Sequence, residues 1–248
     1  MGSLRTGVLS GVLTLVLATA AGAETSMHSS SDHLVDLTSQ HWCHDCVVKV
    51  IDKYGIMTGF LDHTFRGDWN VSRYELAAAV ARTYNLIKLS RKIELPDIER
   101  RELGVDVNDD ASKRLGPNHW AYQYVRKLAE ENGLLGKLFD KGDFNGEQNL
   151  TREELAYGMV EFLEQMEKSM GRSLDPGRRE TQLAVDLDPN SPYHKYVDLA
   201  LNRYQFMNLH ADHTFRSERP VTRYELAAAL CKIFDLFEKN GGQLAESN

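Results

Sequence analysis

An all-α protein made of three related helix–loop–helix units is the architecture this sequence predicts, and three observations carry it. Residues 35–83 and 185–233 align without a gap at a constant offset of 150, sharing "DHTFR" and the "RYELAAA" run; residues 105–163 form a third, longer copy. Each copy places Ser or Thr three residues before a Glu: Ser72 and Glu75, Thr151 and Glu154, Thr222 and Glu225. This is a helix start, in which the hydroxyl accepts the third helical amide and the Glu reaches back to the capping residue's own amide. Finally, apolar residues recur at helical spacing, and no convincing buried strand is evident.

The elements follow in order. Residues 1–23 carry Arg5, an apolar run and "AGA", the pattern of a secretory signal peptide. A linker (24–34) leads to unit 1 (35–87), a charged connector (88–104), unit 2 (105–163), a second charged connector (164–184), unit 3 (185–238) and a tail (239–248). Each unit opens with a first helix just after the "HW" position; in unit 1 Val47, Val50, Ile51 and Tyr54 mark its apolar face. Gly55 and Gly133 stand where such a helix stops. A polar loop anchored by Phe65, Phe144 or Phe215 follows, and then the capped second helix, with an apolar face such as Leu226, Ala227, Leu230, Ile233 and Phe237. One such pair cannot bury its own apolar face. Three copies can close on one another, so a single pseudo-threefold domain with a central helical bundle is expected.

Composition narrows the function. The chain is 42% hydrophobic and 26% charged with a formal net charge of −7, ordinary for a globular protein and unsuited to nonspecific nucleic-acid binding. An anionic ligand would have to be held by local cations against that field. No segment after the signal peptide is apolar enough to span a membrane as a helix. Export favours an oxidising compartment, where disulfides are permitted. A local disulfide between Cys43 and Cys46 would staple the start of the first helix, but with Cys231 the chain has three cysteines, and the pairing stays open.

Catalytic and metal motifs fail on context. "CHDC" lacks the βαβ setting of a thiol–disulfide enzyme, although a helix N-terminus would lower the Cys43 pKa. His41, Cys43, His44 and Cys46 lack the second ligand cluster of a zinc site. "DKGDFNGEQNLTREE" would place Lys141 and Arg152 where a calcium loop needs carboxylates. No nucleophile elbow or phosphate loop occurs. The expectation is a protein that is not an enzyme and needs no cofactor or metal.

One residue goes beyond the needs of the cap. Arg73, Arg152 and Arg223 each follow the capping residue, where a cation is slightly unfavourable to the helix. Two readings fit: a structural ion pair with a carboxylate such as Asp36 or Asp186, or an anion site made of a guanidinium beside free helix amides. An Asp near the start, "HW", a Gly-ended helix, "GFLDHTFRG" and "SRYELAAA" together resemble the S-layer homology repeat, over 35–83, 105–163 and 185–233. The form is similar to modules of Gram-negative-type envelopes, including cyanobacterial ones. The resemblance implies a three-lobed fold that binds cell-wall polysaccharide or peptidoglycan-linked glycan in grooves between units. It implies that Arg73, Arg152 and Arg223 hold an acidic sugar group, and that Asp36, Asp106, Asp186, Trp42, Trp120 and Gly59 shape or line the grooves. Unit 1 matches best; unit 3 has Pro192 in place of Trp, and unit 2 has Lys137 in place of Gly59. Such relatives typically continue into a β-barrel, and this sequence has no run of alternating strands. It is therefore expected to act alone or docked to an envelope or outer-membrane protein complex.

Overall fold

A computed structural model describes residues 31, 34–92, 115–139, 143–177, 179–242 and 244–246. The signal peptide, Asp106, and most of the linker and first connector lie outside the described residues. The fold is all-α. Its helices are α1 (His44–Val48), α2 (Arg73–Arg91), α3 (Tyr122–Arg126), α4 (Arg152–Met170), α5 (His194–Asp198) and α6 (Arg223–Gly241). Among the described residues there is no strand, only three isolated bridges between the segments that precede α2, α4 and α6.

The short helices α1, α3 and α5 lack a side-chain cap and each widens into a π-helical turn, Lys49–Lys53, Lys127–Glu131 and Leu199–Arg203. Each π turn closes on a five-residue bond, such as Tyr54 N to Lys49 O at 3.2 Å. The next residue takes a left-handed conformation: Gly55 at φ 60°, Gly133 at 62°, and Gln205 at 58° in unit 3. Gln205 holds this less favourable backbone while its side chain donates to Gly177 O at 3.0 Å.

The long helices begin as expected. All three capping boxes are formed, with the cap residue at φ −87°, ψ 163° each time. The residues just before the caps then bond to one another in a cycle. Val71 N donates to Val221 O (2.8 Å), Val221 N to Leu150 O (2.8 Å), and Leu150 N to Val71 O (2.7 Å), and all three side chains are fully buried. The first two amides of each long helix, which have no partner within the helix, also cross units. Arg73 and Tyr74 donate to Gln148 O and Gly146 O, Arg152 and Glu153 to Arg219 O and Ser217 O, and Arg223 and Tyr224 to Trp69 O and Gly67 O. The cap hydroxyls take the third amide.

Each first helix packs on the long helix of another unit: α1 on α6, α3 on α2, α5 on α4. Two of these contacts end in a carboxylate clamp. Glu238 of α6 accepts from Lys49, Lys53 and the Tyr54 hydroxyl; Glu167 of α4 accepts from Arg203 and the Tyr204 hydroxyl. Burial pushes the Glu238 carboxyl up, but these hydrogen bonds outweigh it and hold its pKa down at about 2, against an ordinary 4.5. Glu167 is lowered for similar reasons. A depressed carboxyl stabilises the fold above its unfolded pKa and loses that contribution as pH falls through the folded one. Stability is therefore expected to fall between about pH 4.5 and pH 2. Urea midpoints measured across this range should slope less in Glu238→Gln than in the parent protein.

Candidate ligand-binding grooves

The predicted arginines are the inner floor of the unit–unit junctions. Arg152 donates from Nε to Phe215 O (2.7 Å), from Nη1 to Glu225 Oε1 (3.2 Å) and from Nη2 to Asn208 O (2.8 Å). Arg223 repeats this with Phe65 O (2.9 Å), Glu75 Oε1 (3.2 Å) and Thr58 O (2.7 Å). Arg73 pairs with Glu154. Each cap glutamate thus gives one oxygen to its own cap and the other to an arginine of another unit. Arg152 and Arg223 are buried, stacked 4.7 Å from Phe215 and Phe65, and burial lowers their pKa. Of the two readings, the ion pair is the one present. Its partner is the cap glutamate rather than Asp36 or Asp186, and the helix amides supposed to be free are all bonded.

Asp36 and Asp186 clamp the loop that supplies those carbonyls. Asp36 accepts from Phe65 N and Arg66 N, each at 2.7 Å; Asp186 accepts from Phe215 N at 2.7 Å and Arg216 N at 2.8 Å. The left-handed Arg66 (φ 53°) then turns back to pair with Asp62 and stack on Phe60 and Trp69.

Two grooves of about 190 and 200 Å³ open above the arginines. The first has the Arg223–Glu75 pair as floor, Trp120 as one wall, and Ala78, Ala79 and Arg82 of α2 as the other, with Ile56–Thr58 at its edge. Gly59 follows that edge, half-buried. The second has the Arg152–Glu225 floor, Trp42, and Ala228, Ala229 and Lys232 of α6. Trp42 is 68% exposed and Trp120 is 44% exposed, so both rings present faces to solvent. Each groove takes its floor arginine, its tryptophan and its helix from three different units. Arg82 bonds Ile56 O at 3.1 Å and the Tyr124 hydroxyl at 3.3 Å. Lys232 is half-buried, and burial lowers its pKa.

The motif reading of the sequence does not reach Arg82 and Lys232. They share the position seven after the cap glutamate, where unit 2 has Glu161; aligning the copies for charge would have found them.

At the third junction the position equivalent to the two grooves is filled. Tyr157 stands where Ala78 and Ala228 stand elsewhere, is 1% exposed and packs edge-on against Tyr196. Glu161 accepts from Leu135 N, and Lys137 bonds Pro192 O. Arg73 belongs to this junction through its pair with Glu154.

A second contrast separates the junctions. Tyr224 lies on Gly67, its ring 4.3 Å from His41; Tyr74 lies on Gly146, its ring 4.7 Å from His119. A Cβ on either glycine would fall 2.0 Å from the ring. At the third junction Glu153 replaces the tyrosine, Ser217 the glycine, and Ser191–Pro192 the His–Trp pair. An open cavity of about 660 Å³ remains there.

Cys43, Cys46 and Cys231 are free thiols, so the staple between Cys43 and Cys46 is not formed. Among the described residues no group of His, Cys, Asp and Glu is arranged to hold a metal ion, and no helix is long and apolar enough to cross a membrane.

No protein-family model matches the chain. Over 65 residues, 25% of this chain, it is 35% identical to Outer membrane protein SlpA of Deinococcus radiodurans. The match covers 6% of that protein, so the chain spans a small part of its relative's length.

Gly67→Ala and Gly146→Ala should each cost about 1–3 kcal/mol by overpacking, while Ser217→Ala should stay within about 0.5 kcal/mol of the parent. Urea unfolding of the three variants checks this contrast.

Proposed function

We propose that the protein is an exported, non-catalytic cell-envelope module whose two open grooves hold cell-wall polysaccharide or a peptidoglycan-linked glycan. The observation that carries this reading is the repeated groove: an exposed tryptophan opposite a helix cation, above a neutral Arg–Glu floor. An indole face offers the apolar surface on which a sugar ring stacks, and few convergent polar groups fix its orientation. The cation gives an acidic substituent a partner within a chain that is acidic overall. The S-layer homology resemblance and the similarity to an outer membrane protein point to the same compartment. Arg152 and Arg223 act here as the floor that spaces the walls, with Arg82 and Lys232 nearest to any acidic group.

Sedimentation with purified sacculi, with and without their attached polymers, tests the reading. Binding is expected to require the polymers and to fall at least about tenfold in the Trp42→Ala/Trp120→Ala double variant, the loss of about 1.4 kcal/mol. Absence of binding to either preparation would overturn it.

A second reading, an accessory subunit that docks to an envelope protein complex, draws on the exposed Val35, Leu61 and Trp69 of unit 1. Co-purification of a stoichiometric partner from native membranes, without glycan binding, would favour it.

A further inference from the structure

Three thiols from two units meet where α1 crosses α6. The register is set by Lys49, which bridges Asp235 and Glu238. Cys46 precedes Lys49 by three residues and Cys231 precedes Asp235 by four, so the same ladder sets Cys46 against Cys231. One turn earlier, the Cys43 thiol donates to Tyr224 O at 3.4 Å. The neighbouring thiol of Cys231, and then that of Cys43, lower the pKa of the Cys46 thiol; the nearby Lys232 and Lys49 add to this against the opposing effect of burial. The neighbouring Cys46 sulfur, and then burial, raise the pKa of Cys43 and of Cys231. Cys43 is fully buried and Cys231 is 8% exposed, while Cys46 is partly open to solvent. Cys46 is thus the sulfur an external disulfide can reach, and its thiolate is the nucleophile in disulfide exchange.

We propose that Cys46 and Cys231 form an inter-unit disulfide that latches the first helix of unit 1 onto the long helix of unit 3. The Cys46 thiolate attacks one sulfur of an external disulfide, forming a mixed disulfide and expelling one thiolate. Cys231 then releases its proton to solvent, and its sulfur attacks that of Cys46. The Cys46–Cys231 bond forms and the second external thiolate departs. Two protein thiols are oxidised, and one external disulfide is reduced to two thiols. Cys43 is left as the odd thiol, committed to the Tyr224 carbonyl. A bond across the long loop between units also constrains the unfolded chain far more than one within a single helical turn. Trp42 adjoins Cys43 and Lys232 adjoins Cys231, so the latch fixes two walls of one groove relative to each other. It does not depend on what that groove binds.

The test oxidises the full chain with oxidised glutathione, alkylates the remaining thiols and digests with trypsin without reduction. The peptide ending at Lys49 carries Cys43 and Cys46, and the peptide ending at Lys232 carries Cys231. A cross-link between the two peptides is expected, retained in Cys43→Ser and absent from both Cys46→Ser and Cys46→Ala. Oxidation should raise the thermal midpoint by roughly 5–15 °C in the parent and in Cys43→Ser. A Cys43–Cys46 bond within one peptide, three free thiols after oxidation, a cross-link surviving loss of Cys46, or a cross-link with no thermal shift would each overturn the proposal.

Discussion

The cap glutamate's divided carboxylate is the constraint on which the rest depends. One oxygen of Glu75, Glu154 and Glu225 closes the helix's own capping box; the other receives an arginine from a different unit. Local helix initiation and long-range assembly therefore share one side chain. An ion pair so buried contributes little net energy over an apolar replacement, but losing one partner leaves a costly unpaired charge. The arrangement thus acts mainly as a check on register. A unit shifted by one residue would break two of the three pairs, its own arginine's and the one its cap glutamate accepts.

The grooves follow from this assembly. Because each arginine must reach across a junction, the helix surface above it is left low, lined by Ala78 and Ala79 or by Ala228 and Ala229. Where unit 2 carries Tyr157 instead, that depression is filled by the buried ring. Moving from Ala to Tyr at one position turns a surface groove into packed interior without disturbing the hub. The same junction has lost its Tyr–Gly contact and kept the Glu153 amide bond to Ser217 O. Divergence has accumulated where the ring of backbone bonds tolerates it.

Much of this was legible in the sequence because it is local. The capping boxes, the glycine stops and the offset of 150 each depend on residues within a few positions or on direct comparison of copies. The partner of Arg223 was not legible: Glu75 lies 148 residues away, and its carboxylate already had a local explanation. The free helix amides expected from the sequence are occupied for the same reason: Gly146, Ser217 and Gly67 accept through main-chain carbonyls, which no side chain in the sequence marks. The π turns were missed because their five-residue bonds leave no periodicity in so short a helix. Gln205 shows the limit of glycine as a stop signal, because a side-chain bond to Gly177 O stands in for conformational freedom.

Closure also explains how so acidic a chain can keep its helix starts buried. In an open array of repeats the terminal units expose an interface and need special caps. Here the amide donors of α6 find acceptors in unit 1, those of α2 in unit 2 and those of α4 in unit 3, so no unit is terminal. Two of the repeat arginines, Arg152 and Arg223, are meanwhile taken inward, and Arg82 and Lys232 are set at the groove walls. Arg152 and Arg223 are neutralised in the floor by Glu225 and Glu75. Each groove therefore sets a local cation into a chain that is acidic overall, so under the proposed reading a ligand would be selected by where its charge lies as well as by its net charge.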